Sequence, residues 1–193
     1  AWNAIIIVTQ HAMTVAHLVH AGSTVPAFTP AFSTTTGLAC IFRANLIWQE
    51  TQDAAQLANA PCAFSAFNAY EWTKVEDDPT LTAGAAILHR NVIFRGDSVP
   101  SAPISVFEAP KVELLWEQLQ QKCLDADPDC DVLTIPHSTN QSAGRAFKPV
   151  YSAEPLPSSP FFAERPLTTQ DAEIRAAFEP VVEVIQQKGG VEL

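Results

Sequence analysis

Charge is missing from the first 42 residues: between Ala1 and Phe42 there is no Lys, Arg, Asp or Glu, and Arg43 is the first charged side chain. Charge is sparse along the whole chain, at 17% against the ~25% of an average soluble domain. Bases are the scarcer sign, with 11 Lys+Arg facing 21 Asp+Glu for a net charge of −10. That balance leaves no electrostatic footprint for nucleic acid or an anionic membrane, so neither is an expected partner. Long apolar runs are absent too. Ile5-Ile6-Ile7-Val8 is interrupted at once by Thr9, Gln10 and His11, far short of the ~20 residues of a membrane span, and no basic region precedes it as in a secretory signal. Four cysteines are too few for a disulfide-scaffold mini-protein, and 7 glycines against 15 prolines suit stiff loops rather than flexible low-complexity sequence.

What is present is enough for one ordinary domain. The 193 residues are 47% hydrophobic, which excludes a wholly disordered chain. The opening stretch carries His11, His17 and His20 with Pro26 and Pro30. Ile5–Val8 reads as a buried or edge strand leading into a Ser/Thr/Pro loop. The alternative is that residues 1–45 are foreign to a domain formed by 46–193, as at a gene-fragment boundary or a shifted reading frame.

From Leu46 onward the pattern is α/β. Ile47, Ala54, Ala55 and Ala58 have helical spacing, ended by Asn59-Ala60-Pro61. Phe64–Trp72 is an aromatic-rich strand candidate, Glu76–Gly84 a loop, and Ala85–Arg95 a second strand. The proline-punctuated stretch from Gly96 to Pro110 leads into the clearest helix, whose apolar stripe is Val112, Leu115, Trp116, Leu119 and Cys123. Val132–Ile135 is a short buried strand. A proline-rich excursion follows Ser152. Thr168 or Thr169 caps a helix through Phe178, and Val181–Ile185 returns as a strand.

Strands alternating with helices imply a parallel or mixed sheet, in which polar groups beyond strand ends line the site. Glu71 ends the first such strand, His137 follows Pro136, and His89 lies inside the Ala85–Arg95 strand. Two imidazoles and a carboxylate suit zinc, manganese or iron. Spacing alone leaves open that each is an ordinary hydrogen-bonded side chain.

Several segments in order carry a resemblance: Cys62-Ala-Phe-Ser-Ala-Phe-Asn-Ala-Tyr-Glu71-Trp-Thr, Leu88-His89-Arg-Asn-Val-Ile-Phe-Arg95, and Cys130-Asp-Val-Leu-Thr-Ile-Pro-His137-Ser-Thr-Asn140. From about Trp48 to Gly189 the chain resembles domain of unknown function 3604, a bacterial family similar to the PHP (polymerase and histidinol phosphatase) metallohydrolases. The resemblance implies a distorted β/α barrel and hydrolysis of phosphate or related (sulfate, phosphonate) esters. It also implies divalent metal ions (zinc, manganese or iron) on Glu71, His89 and His137. A small anionic ester is the implied substrate, with Arg90, Arg95, Asn140, Arg145 and Lys148 as candidates to hold it and Ser138 as a supporting donor. The family's opening His-x-His, Asp-His and closing Asp-x-His motifs are absent, and His17-Leu-Val-His20 has the wrong spacing. The expectation is therefore a partial barrel lacking its N- and C-terminal elements. Such a chain is either completed by a companion or a non-catalytic, metal- or ligand-binding remnant.

Cys123 and Cys130 are seven positions apart across a helix-to-strand turn, compatible with the ~4.4–6.8 Å Cα separation of a disulfide. Two buried thiols are the alternative; zinc is disfavoured because no second pair lies near. The resemblance to exported proteins favours the bridge and a periplasmic or secreted location, with a cytoplasmic one as the alternative. Cys40 and Cys62 are expected to be free.

Overall fold

β-branched and aromatic residues concentrate in the segments that become the central sheet. The structure is a computed structural model and describes residues 5–8, 35–152, 154, 156, 162–186 and 189–190. His11, His17 and His20 lie outside the described residues, as do the placements of Pro26 and Pro30. In chain order, β1 (Ile5–Val8) and helix α1 (Thr35–Ala58) precede β2 (Ser65–Trp72). A hairpin of β3 (Val75–Asp77) and β4 (Ala85–Ile87) leads to β5 (Arg90–Phe94). Helix α2 (Val112–Leu119) runs into a π-helical turn at Gln120–Leu124, and β6 (Val132–Pro136) follows. Short strands β7 (Val150–Tyr151) and β8 (Arg165–Pro166) pair ahead of helix α3 (Thr169–Phe178). Strands β9 (Ile185–Gln186) and β10 (Gly189–Gly190) form a last hairpin.

The main sheet has the order β1-β2-β5-β6. Its first pair is parallel, Ile5 opposite Ser65, and the other two pairs are antiparallel. The architecture is thus mixed α/β with an open sheet, and no closed barrel forms among the described residues. Ile5–Val8 takes the expected place of an edge strand. The boundary expected at residue 45 falls inside α1, which is continuous from Thr35 to Ala58.

Strand alternation sorts the core. Register places Tyr70 opposite Val92 and Trp72 opposite Arg90, with Val92 opposite Thr134, so these side chains share one face. On that face Tyr70, Trp72, Val92, Phe94 and Val132 pack against Trp48 of α1 and Leu115, Trp116 and Leu119 of α2. Each fully buried large side chain contributes roughly 1.5–3 kcal/mol of transfer free energy. The aromatic polar atoms are all engaged, as burial demands. Trp48 Nε1 donates to the Pro100 carbonyl, Trp72 Nε1 to the Ala109 carbonyl, Trp116 Nε1 to Thr134 Oγ1, and Tyr70 Oη accepts from the Ile104 amide. Three of these bonds pin the proline-punctuated loop over the core, which is why Ile104 and Ala109 are buried.

Helix α3 begins at the expected cap. Thr168 accepts from the Asp171 amide while the Asp171 carboxylate accepts from the Thr168 amide, a reciprocal capping box. Asp171 also pairs with Arg165, and that guanidinium, with the cap, holds its carboxyl well below the usual carboxylate range.

Three expectations are corrected. The Ala85–Arg95 strand is two strands, because β4 pairs locally with β3 while β5 pairs with β2 and β6. Val75–Asp77, at the head of the expected loop, is the partner that makes this split. Val181–Val184 forms no strand: one amide, Glu183, bonds to the Pro136 carbonyl at 3.1 Å, and Val181, Val182 and Val184 stay exposed. High β-propensity there has no ladder to join.

Cys123 and Cys130 are bridged, with Cα atoms 5.3 Å apart, and Cys62 is free and exposed. The Cys40 side chain lies outside the described residues. The bridge ties the end of the α2 turn to the entry of β6. For a sequence separation of 7, restraint of the unfolded chain is worth about 2.5 kcal/mol. A Cys123→Ser, Cys130→Ser double variant should therefore show a clearly lower urea midpoint than the oxidised wild type. Reducing the wild type should lower its midpoint to the same value. An unchanged midpoint in both would show that the bridge restrains nothing.

Candidate metal centre

Register brings the three candidate ligands together. Arg90 pairs with Pro136, so the next step of the same antiparallel ladder sets His89 beside His137. Trp72 pairs with Arg90, and the Leu88 amide bonds to the Lys74 carbonyl at 2.8 Å, which continues that ladder past the strand ends and sets Thr73 opposite His89. Trp72, Arg90 and Pro136 face the core. The pleat therefore turns Glu71, Thr73, His89 and His137 to the other face.

On that face His89 Nδ1 lies 3.0 Å from Glu71 Oε1, and His137 Nε2 lies 3.4 Å from Glu71 Oε2. The imidazole centroids are 5.8 Å apart at 56°. Thr73 Oγ1 donates to Glu71 Oε1 at 2.8 Å. One donor atom from each of Glu71, His89 and His137 falls within 4.8 Å of the others. His89 is not inside a strand as expected. It sits in the switch between β4 and β5, and that break aims its ring at Glu71.

Burial alone would push the Glu71 carboxyl up. Hydrogen bonds from His137 and His89, the nearby His89 charge and the Thr73 hydroxyl outweigh it and hold the group well below the ordinary carboxylate range. Glu71 is thus an anion at any working pH, gripped from three sides.

The donor set fits a divalent cation. Two nitrogens and an oxygen bound at ~2.0–2.2 Å to one ion lie at most ~4.4 Å from one another. The observed spacing needs only a small inward adjustment. His89 Nε2 is buried with no hydrogen-bond partner among the described residues, a polar atom left for a further ligand or donor.

Of the candidate anion-binding residues, Arg90, Arg95, Arg145 and Lys148 pair with carboxylates other than Glu71. Arg90 is on the core side, paired with Glu179 at 2.7 Å and donating to the Leu88 and Ala146 carbonyls. Arg95 is exposed at the far end of β5 and pairs with Asp131. Arg145 binds Asp78 and approaches Glu76, while Lys148 pairs with Glu164. Arg90, Arg145 and Lys148 line a cavity to which none of the three ligands contributes. Asn140 lies on the 3-10 turn Thr139–Gln141 just past His137, and the neighbouring Ser138 is buried. Sequence reasoning missed Thr73. Its signal was the i+2 spacing from Glu71 at a strand end, which puts both on one face.

The depressed Glu71 pKa sets the sign of a pH effect. Stability contributed by the carboxylate is complete above its ordinary value of about 4.5 and is lost as pH falls toward the lower folded-state value. In chelator-treated protein, Glu71→Gln should lower the urea midpoint at pH 7. The gap from wild type should narrow as pH drops below about 4.5. A gap that widens in acid would contradict this electrostatic account.

Comparison with curated proteins, and separately with solved structures, returned no match. Comparison with protein families did, and the matched span begins within the charge-free opening segment and takes in all three candidate ligands. Over residues 7–193 the chain belongs to the family described as Protein of unknown function (DUF3604).

Proposed function

We propose that the chain is a divalent-metal hydrolase of phosphate or related (sulfate, phosphonate) esters, with Glu71, His89 and His137 as metal ligands. The observation that carries this reading is the convergence of two imidazoles and one ionised carboxylate from three separate segments onto a half-buried point. Zinc, manganese and iron are the ions that suit such donors. The fold we infer is a partial PHP-like barrel. In support, Glu71 and His137 lie at the C-terminal ends of β2 and β6, although the antiparallel β5 departs from an all-parallel barrel.

A bound cation would polarise an ester oxygen and lower the pKa of a water. The chain's own residues hold and pre-charge the site. Glu71 needs no deprotonation to receive a cation. His89 Nδ1 and His137 Nε2, which face Glu71, must offer a lone pair if they ligate, so a proton there has to leave or move to the other ring nitrogen. Thr73 keeps Glu71 Oε1 oriented while the imidazoles exchange partners.

A second reading is a metal-binding domain without turnover of its own, completed by a companion chain. It is favoured by one observation: β1 and β6 are both sheet edges with no further strand paired to them among the described residues. For location we infer an oxidising compartment, the periplasm or the exterior, supported by the Cys123–Cys130 bridge. Among the described residues no helix is long and apolar enough to cross a membrane.

Metal analysis of purified protein should find one zinc, manganese or iron per chain, removed by chelator. His89→Ala, His137→Ala and Glu71→Gln should each weaken reloading by at least about 10-fold. Hydrolysis of p-nitrophenyl phosphate that appears on reloading and vanishes in these variants supports the enzyme. Tight metal binding without turnover supports the second reading, and absence of metal binding defeats both.

A further inference from the structure

The chain has 11 Lys and Arg against 21 acids, yet six of those 11 line one cavity: Lys74, Arg90, Lys111, Arg145, Lys148 and Arg175. It opens to solvent and encloses about 50 Å³ of water-sized space. Trp72, Leu88 and Arg90 form part of its wall, and each is the sequence neighbour of Glu71 or His89. The pleat that sends Glu71 and His89 to one face sends these three to the other. The cavity is therefore separated from the metal centre by the backbone of β2 and the β4–β5 switch.

Most of the six cations already have a counterion. Arg90 is closed off by Glu179 behind the wall. Lys148 has Glu164 at 3.4 Å, and Arg145 has Asp78. Glu76 is shared, 3.3 Å from Lys111 and 3.6 Å from Arg145. Lys74 and Arg175 differ: among the described residues neither has a carboxylate within ion-pair distance. Arg175 donates one Nη1 bond to the Lys148 carbonyl and lies over the Trp116 ring, while its buried Nε has no partner. The Lys74 ammonium makes no hydrogen bond among the described residues, and the residue is half-buried. Burial, with Lys111 nearby, pulls its ammonium below the ordinary lysine range despite Glu76. Glu76 and Asp77 act on Lys74, and Glu179 on Arg175, only from beyond ion-pair distance; a partly desolvated cation so weakly compensated is costly, and an anion entering from solvent relieves that cost. Glu113 faces the same cavity as an acceptor for Ser152 and disfavours an anion beside it, which leaves the Lys74 and Arg175 groups as the free contacts.

We propose that this cavity is a second ligand site, separate from the metal centre, for a small molecule bearing a phosphate or sulfate group held by Lys74 and Arg175. Multivalent oxyanions fit better than a single carboxylate because two cationic groups are free and Lys111 stands close by. Because the cavity opens to solvent, the rest of a small molecule can extend outward from the oxyanion. The proposal does not depend on the metal site being catalytic.

The test uses the full chain and inorganic phosphate, with inorganic sulfate in parallel, at ionic strength fixed by sodium chloride. Calorimetry should show saturable binding of one anion per chain, and thermal unfolding should shift upward with anion concentration. Lys74→Ala and Arg175→Ala should each weaken binding by about 10-fold or more, and Lys74→Arg should restore part of it. A Glu71→Gln, His89→Ala double variant should bind the anion as wild type does. The Lys74 side chain makes no hydrogen bond among the described residues, so its variant should fold even if the Arg175 variant does not. Absence of saturable binding, or binding indifferent to Lys74→Ala, would overturn the proposal. Binding lost in the Glu71/His89 double variant would overturn it too, by placing the anion at the metal centre.

Discussion

A buried ion pair holds the segment on which both faces of the sheet depend. Arg90 and Glu179 meet at 2.7 Å with side chains only 3% and 4% exposed. The guanidinium also takes the Leu88 and Ala146 carbonyls, so one side chain fastens the β4–β5 switch, the turn after β6 and the end of α3. Such a pair contributes little net stability compared with an apolar substitute, but losing one partner strands a charge in the interior at a cost of about 3–5 kcal/mol. Burial raises the Glu179 carboxyl above its ordinary value, and the Arg90 guanidinium offsets that only in part. The role of the pair is positional: it fixes the backbone on either side of His89.

Local signals were legible in the sequence where local physics decides the outcome. The α2 stripe of Leu115, Trp116, Leu119 and Cys123 is buried as its spacing required, and Thr168 caps α3 with Asp171 as its reciprocal partner. Glu71 and His137 stood at strand ends and are found there. Tertiary pairing was not legible. The division of Ala85–Arg95 depends on which neighbour each half finds, and nothing in Ile87 or Val92 distinguishes a β3 partner from a β2 partner. Val181–Val184 has strand composition and no strand to join. The approach of His89 to His137 depends on the Arg90–Pro136 register, which is a property of two segments together.

The candidate anion-binding bases show the same limit from another side. Arg90, Arg145 and Lys148 are near the ligands in sequence, and Arg90 adjoins His89, but adjacency along a strand means opposition across a sheet. Proximity in sequence pointed toward the candidate metal centre, yet the pleat turns Arg90 to the core face, while Arg145 and Lys148 pair with Asp78 and Glu164. The result is an acidic protein with six of its 11 bases lining one cavity, two of which have no carboxylate within ion-pair distance among the described residues.

The alternation between Glu71 and Trp72, and between His89 and Arg90, also constrains how this family can drift. Inserting or deleting one residue at the end of β2 or in the Leu88–Arg90 switch would exchange the faces of everything beyond it. An imidazole would enter the core and a tryptophan or arginine would enter the Glu71–His89–His137 cluster. Length changes are therefore compatible with function only in the loops, such as Asp78–Gly84 between β3 and β4, or in compensating pairs. Only with the spacing from Glu71 to Lys74 and from Leu88 to Arg90 fixed does each of these side chains keep its present face.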